Sequence, residues 1–158
     1  MSGAEDDGPA PAHYWLLPGR LMGGEWPVPH LDWLAHERIS VLVNLTDLAY
    51  RDDRFLIHRI PLPDGEPPDG EQIMRFCQLV WRELREERRI YVHCLAGCGR
   101  TGTMMACYLA YRDRLGGDEA IRRIRALRSC SIETDAQEAA VIGWGLRMQT
   151  TGYRLSSP

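Results

Sequence analysis

The sequence lacks any apolar run near the ~20 residues that a membrane-spanning helix requires. Its first twelve residues are acidic and contain no hydrophobic stretch, so they are typical of neither a signal peptide nor a transit peptide. We expect residues 1–12 to form a disordered acidic tail and residues 151–158 to form a flexible C-terminal tail. No membrane partner is expected.

Paired cysteine motifs and an excess of charge of one sign are also lacking. The cysteines form an odd set of five without the paired CxxC units of a zinc site: Cys77, Cys94, Cys98, Cys107 and Cys130. A reducing compartment is therefore the default, and we expect a cytoplasmic protein whose size allows nuclear entry. Because the formal net charge is −3, the chain as a whole has no electrostatic attraction to nucleic acid, and no nucleic-acid partner is expected.

The length bounds the domain organisation. At 158 residues, with 44% hydrophobic and 26% charged side chains, the chain can bury one substantial core but is too short for two ordinary domains. We expect a single domain over residues 13–150, and a monomer.

The most informative segment is His93–Thr101, with the sequence HCLAGCGRT. A run rich in β-formers precedes it at 89–93 and an almost wholly apolar run follows at 103–111, which predicts strand, loop and buried helix in that order. Gly97 and Gly99 allow backbone conformations with φ > 0, so successive N–H groups can point inward as an anion-binding nest. A nucleotide-binding Walker loop would instead carry Gly-Lys-Ser/Thr, so that alternative is weak.

This loop combines a nucleophile with a phosphate-binding cation. Free cysteine, with a pKa of ~8.5, is mostly protonated at neutral pH, so a reactive Cys94 needs positive partial charge around its sulfur. The inward N–H groups and the positive end of the following helix supply that charge. Arg100 can bind two phosphoryl oxygens with its planar guanidinium. The predicted phosphate-binding residues are Leu95, Ala96, Gly97, Cys98, Gly99 and Arg100.

The pattern His-Cys-x5-Arg-Thr resembles the signature of the cysteine-dependent protein phosphatases, and HCLAGCGRTGTMMACYLAYR is similar to their atypical dual-specificity branch. Further matches, over roughly residues 14–148, are WLLPGRL at 15–21, LVNLT at 42–46, and SIET at 131–134 followed by Gln137 and Glu138. The resemblance implies a phosphomonoester hydrolase for phosphorylated protein, acting on phosphotyrosine with phosphoserine and phosphothreonine tolerated. It also implies a phosphocysteine intermediate and no metal or other cofactor.

Apolar patterning predicts the surrounding elements. Residues 40–45, 55–60 and 90–93 indicate strands, and one helix face is marked by Ile73, Phe76, Cys77, Val80, Trp81 and Leu84. The strand-helix-strand unit from Leu56 to Cys94 is expected to be parallel. We therefore predict an α/β fold with a central, mainly parallel sheet flanked by helices, and with the phosphate-binding loop between a strand and a helix.

Asp64 is the candidate general acid. Expelling an alkoxide or phenoxide at neutral pH is slow, and a positioned acid typically contributes ~10²–10⁴-fold. Asp64 lies just beyond the strand at 55–60. The carboxyl end of this strand is expected to neighbour that of the strand before Cys94, at the sheet edge where ligands bind. An aspartate before glycine is also an ordinary turn residue, and Asp47 is the alternative acid. Asp69 is explained as a helix N-cap because Gln72 follows at capping-box spacing.

Thr101 and His93 are expected to support the nucleophile. The Thr101 hydroxyl could donate to the Cys94 sulfur as the sulfur leaves the phosphocysteine, and a helix N-cap is an equally compatible explanation. His93 is expected to order the loop by hydrogen bonding rather than to act as a general base, because an ionised sulfur has no proton to remove.

The segment after the basic helix holds two further candidates. Thr134 and Gln137 have capping-box spacing, which alone would explain both. The resemblance places this segment beside the phosphate-binding loop, where Gln137 or Glu133 could orient the hydrolytic water or brace Arg100.

Two features outside this scheme remain open. Cys98 either fills its loop position as a small apolar residue or captures an oxidised Cys94 as a disulfide. The basic run Arg122, Arg123, Arg125 and Arg128, on a helix with apolar Ala120, Ile121, Ile124 and Leu127, is expected to be a solvated face rather than a patch for acidic substrates.

Two other functions are weighed against a protein phosphatase. A phosphatase for RNA 5′-phosphates or phosphoinositides would require extra basic residues in the loop, and Leu95, Ala96 and Cys98 are uncharged. A non-catalytic phosphate-binding module would usually have lost Cys94, Arg100 or Asp64, and all three are present.

Overall fold

A computed structural model describes residues 8–151, so residues 1–7 and 152–158 of the two predicted tails lie outside the described residues. Within the described part of the first tail, the Ala12 carbonyl accepts a hydrogen bond from the Glu25 N–H, and the Pro9 carbonyl lies 2.7 Å from the His30 ring nitrogen. No helix in the described range is long and apolar enough to cross a membrane.

Residues 8–151 form five strands and five α-helices. The strands are β1 His13–Leu17, β2 Leu21–Gly24, β3 Val41–Asn44, β4 Leu56–Arg59 and β5 Ile90–His93. A 3₁₀ turn, Val28–His30, leads into α1 Leu31–His36, and the longer helices are α2 Gly70–Arg85, α3 Gly99–Asp113, α4 Gly117–Leu127 and α5 Asp135–Thr150. The predicted α/β class and the three predicted strands are confirmed.

The strand order in the sheet is β1-β2-β5-β3-β4, and only the β1–β2 pair is antiparallel. Strand β3 pairs with both β4 and β5, so β4 and β5 are parallel but not adjacent. The expectation that Asp64 follows a strand neighbouring that of Cys94 is therefore wrong. Beyond β4 the chain stays against β3, because the Ile60 N–H donates to the Asn44 carbonyl and the Leu62 N–H donates to the Leu45 carbonyl. This path carries Asp64 to the edge where β5 ends.

Helices cover both faces of the sheet, as expected for buried parallel strands. On one face, the main core packs β3 and β5 against α2 and the central helix α3, whose residues 99–111 are all buried. On the other face, a smaller cluster around Leu34, Leu42 and Tyr91 lies under α1. Helix α3 therefore presents its N-terminus to the sheet edge from a rigid position.

The predicted face of α2 is confirmed, with Trp81 half-buried and the other five side chains buried. The predicted capping box is also present, since Asp69 accepts from the Gln72 N–H and the Gln72 side chain accepts from the Asp69 N–H. In α4, Leu127 departs from the prediction because its side chain is 46% exposed at the last helical position.

Candidate active site

The loop between β5 and α3 contains the candidate nucleophile. Cys94 follows the last residue of β5, is a free thiol and is only 3% exposed. Gly97 has φ +73°, and a Cβ added there would lie 2.4 Å from the Gly24 backbone carbon, so only glycine fits. Because α3 begins at Gly99, its positive N-terminal end faces the loop beside the sulfur.

Every backbone carbonyl from Cys94 to Cys98 accepts a hydrogen bond. The donors are the His93 ring for Cys94 (3.1 Å), the Trp26 N–H for Leu95 (2.8 Å), the Arg128 guanidinium for Ala96 (2.7 Å) and Gly97 (3.2 Å), and the Ile132 N–H for Cys98 (3.2 Å). The carbonyls are thus held on the outer side of the loop.

The N–H groups consequently point the other way. In a trans peptide the C=O of one residue and the N–H of the next are antiparallel, and no peptide bond in the described chain is cis. The N–H groups of residues 95–99 therefore face the inside of the loop, and none of them donates a hydrogen bond within residues 8–151. This arrangement is the one that an anion-binding nest requires.

His93 helps to hold the loop as a neutral side chain. Burial, assisted by the positive charge of Arg100, lowers the pKa of His93 to about 4, although the hydrogen bond to the Cys94 carbonyl opposes the shift. The neutral ring donates from Nδ1 to that carbonyl, so its Nε2 accepts from the Tyr50 hydroxyl at 2.7 Å. Trp26 packs edge-on against both rings. Sequence reasoning missed Tyr50 and Trp26, which carry no motif.

Arg100 and Asp64 meet at the mouth of the loop. The Arg100 Nη1 donates to the Leu62 carbonyl at 3.2 Å, and its buried Nε has no hydrogen-bond acceptor in the described chain. That Nε lies 3.7 Å from Asp64 Oδ1. Asp47 is exposed after β3, where its carbonyl accepts from Arg59, and within residues 8–151 it forms no hydrogen bond or ion pair with Cys94 or Arg100.

Thr101 is buried with an unsatisfied hydroxyl. Its Oγ1 has no partner within residues 8–151. The N-cap explanation is wrong for this residue, because the helix begins two residues earlier and Cys98 occupies the N-cap position. Buried hydroxyls are normally hydrogen-bonded, so this atom has donor capacity left for a group that binds in the loop.

Gln137 and Glu133 lie against the loop, as the resemblance implied. The predicted capping box with Thr134 is confirmed, and the Gln137 Oε1 also accepts from the Glu133 N–H at 2.9 Å. The Gln137 Nε2 is left buried and unpartnered among the described residues. A Cβ added at Gly99 would lie 2.7 Å from Glu133 Oε1 and 3.2 Å from Gln137 Nε2, so both side chains reach the start of α3.

Cys98 is bonded to Cys130, 32 positions later in the sequence, with Cα atoms 5.2 Å apart. Neither open explanation for Cys98 anticipated this pairing, and Cys94 remains free. Cys77 and Cys107 are fully buried, and burial raises the pKa of both thiols.

The basic run of α4 divides into two groups. Arg122 and Arg123 pair with Glu119 on an exposed face, as expected. Arg125 instead donates to the Ser131 and Ile132 carbonyls, and Arg128 holds the loop carbonyls. The expectation of a solvated face is therefore wrong for Arg125 and Arg128, because the chain after α4 folds back beside the loop.

Comparisons with known proteins point in the same direction. A family model described as "PTP-SAK: Swiss Army Knife protein, DSP-PTPase phosphatase domain" matches residues 11–141. The crystal structure of Tk-PTP in the active form superposes with a TM-score of 0.80 and 26% sequence identity, covering 88% of this chain and 99% of that one.

Two curated relatives match over shorter stretches. Protein tyrosine phosphatase domain-containing protein 1 from Danio rerio is 48% identical over 52 residues, which are 33% of this chain and 7% of the relative. The phosphatidylinositol 3,4,5-trisphosphate 3-phosphatase and protein-tyrosine-phosphatase PTEN1 from Arabidopsis thaliana is 34% identical over 109 residues, which are 66% of this chain and 26% of the relative. The chain thus corresponds to a minor part of each.

Proposed function

Because the chain belongs to the DSP-PTPase phosphatase domain family of cysteine-based phosphatases, we propose that it hydrolyses phosphorylated protein, taking phosphotyrosine first and tolerating phosphoserine and phosphothreonine. The observation that carries the proposal is the free Cys94 thiol within a nest of five unpartnered N–H groups. Preorganised donors of this kind stabilise the charge of a transferring phosphoryl group.

In the first step, the Cys94 thiolate attacks phosphorus and the bond from phosphorus to the leaving oxygen breaks. The inward N–H groups and Arg100 bind the equatorial oxygens, and the Nε of Arg100, which donates no hydrogen bond within the described chain, is available to them. Asp64 donates a proton to the leaving oxygen. Its side chain is 76% exposed beside that guanidinium, so it lies on the solvent side, where the leaving group departs.

In the second step, water attacks the phosphocysteine and the S–P bond breaks. Asp64, now a carboxylate, takes the proton of that water. The unpartnered Nε2 of Gln137 is available to orient the water, and the unpartnered hydroxyl of Thr101 is available to donate to the departing sulfur. Inorganic phosphate then leaves and the thiolate is restored.

The loop itself favours a protein over a more highly charged substrate. Leu95 and Ala96 are the exposed residues of the loop, and both are apolar, with Leu95 46% exposed. Arg128, the nearby cation, already donates to two loop carbonyls. A phosphoinositide is the second candidate, because the Arabidopsis relative carries that activity in its name.

A substrate panel tests the proposal. Turnover of a phosphotyrosine peptide, a phosphothreonine peptide, a phosphoinositide and a triphosphate RNA would be measured on one preparation of the full chain. We expect the phosphotyrosine peptide to be the best substrate, the phosphothreonine peptide to be slower, and Cys94→Ser to abolish all turnover. Preference for the inositol lipid or the RNA would overturn the protein assignment, and residual activity in Cys94→Ser would overturn the phosphocysteine mechanism.

A further inference from the structure

The Cys98–Cys130 disulfide joins the loop to the segment after α4, and it includes neither the nucleophile nor the proposed acid. We propose that these two cysteines are a reversible redox pair that controls how tightly the loop binds phosphoryl groups. The inference rests on the proposed function, since it concerns the same loop.

The segment that carries Cys130 is already the main support of the loop. Arg128 binds the carbonyls of Ala96 and Gly97, and the Ile132 N–H binds the carbonyl of Cys98. The disulfide adds a covalent link between these two hydrogen-bonded contacts. Three successive attachments therefore hold the loop carbonyls outward, which is the condition for its N–H groups to face inward.

The two cysteines differ in their exposure to solvent. Cys130 is exposed and Cys98 is 8% exposed, so a reductant reaches the bond from the Cys130 side. Cys94, Cys77 and Cys107 are free and buried, which leaves Cys98 and Cys130 as the paired thiols of the described chain.

The redox cycle requires two common classes of reagent, a peroxide for oxidation and a dithiol for reduction. In oxidation, one thiol of the pair is converted by a peroxide to a sulfenic acid with release of water, and the other thiol displaces a second water to form the S–S bond. In reduction, an external dithiol attacks the bond, returns both thiols and becomes a disulfide itself. In a reducing compartment the pair would therefore cycle with the peroxide level.

Loss of the bond should weaken anion binding. The nest binds best when its five N–H groups are already held in one arrangement. A loop that is mobile in the free protein loses conformational entropy when the anion binds, and this loss weakens the affinity. Reduction frees Cys98 and leaves only hydrogen bonds to hold the carbonyls, so we expect phosphate to bind about 3- to 10-fold more weakly.

The test uses the full chain with Cys94→Ser, so that the nucleophile cannot be oxidised. After peroxide treatment, mass spectrometry should show the loss of two hydrogen atoms and a peptide linked through Cys98 and Cys130. Titration calorimetry then gives the Kd of inorganic phosphate before and after a dithiol reductant. The matched control is Cys94→Ser with Cys130→Ala, which leaves every residue of the loop from 95 to 100 intact.

We expect the oxidised protein to bind phosphate more tightly, and the control to bind as weakly as the reduced protein under both conditions. Equal affinity in the two states, with the bond verified, would overturn the redox control, as would a failure of peroxide to form the bond. Absence of phosphate binding in both states would instead count against the proposed function of the loop.

Discussion

Arg100 and Asp64 are adjacent but lie in opposite environments, with side chains 6% and 76% exposed. The buried guanidinium is anchored to the Leu62 carbonyl and keeps one fixed orientation. The carboxyl group, by contrast, is reached by solvent and by a departing leaving group. A fixed cation and an accessible acid are what phosphoryl transfer to a buried thiolate requires.

The proposed acid is tested by Asp64→Asn. Turnover of a phosphothreonine peptide should fall by about 10²–10⁴-fold, because an alkoxide needs a proton to leave, whereas nitrophenyl phosphate should lose far less. Rates would be compared as kcat across leaving groups of graded pKa, with Asp47→Asn as the control that behaves as wild type. Equal slowing of all substrates would assign Asp64 a structural role.

At the scale of elements, the loop depends on α4 as much as on β5 and α3. The guanidinium of Arg128, just beyond the last turn of α4, satisfies two of its carbonyls. Glycine contacts fix where α4 lies, since a Cβ added at Gly145 of α5 would be 2.5 Å from the Gly117 nitrogen at the start of α4. The position of α4 therefore bears directly on the nest.

Arg128→Ala should weaken catalysis without touching a reacting atom. Loss of two charge-assisted hydrogen bonds leaves the Ala96 and Gly97 carbonyls to water, and we expect kcat/KM to fall about tenfold. Inhibition by inorganic phosphate should weaken in parallel, which a merely destabilised protein would not show at a temperature where it stays folded. Arg122→Ala, on the exposed face of α4, is the control. Unchanged phosphate inhibition in Arg128→Ala would contradict the positioning role.

At the scale of the whole molecule, the neutral state of His93 links stability to pH. The pKa of His93 is about 4 in the folded chain, below its ordinary value of 6.5. As pH falls below the ordinary value, the unfolded chain binds a proton that the folded chain does not, so stability decreases until the folded pKa is reached. The loss amounts to about 3 kcal/mol.

Replacing His93 with asparagine should remove this dependence. The amide N–H of asparagine can still reach the Cys94 carbonyl, but the side chain does not titrate. Urea unfolding measured from about pH 7 to about pH 4 should show a decrease in the free energy of unfolding that is smaller by about 3 kcal/mol in His93→Asn. Parallel curves for the two proteins would show that His93 is not the group responsible.

The local features of the molecule follow from the amino-acid sequence alone. The period of α2, both capping boxes and the Cys-x5-Arg loop depend on residues within a few positions of one another. They can therefore be predicted from the order of the residues, because hydrogen bonding and side-chain spacing within a single element determine them. The loop also indicates the family by resemblance, because its nucleophile and its phosphate-binding arginine lie within nine consecutive residues.

Which distant segments meet is settled only by tertiary packing. Four such contacts join residues that no motif links. They are the insertion of β3 between β4 and β5, the contact of Arg128 with the loop, the Tyr50–His93 hydrogen bond and the Cys98–Cys130 bond. Each depends on strand order and on how α4 packs against its neighbours. Strand order and helix packing follow from burial of the whole core. The hydrophobic effect is non-directional, so it favours apolar contact without specifying which segments form it.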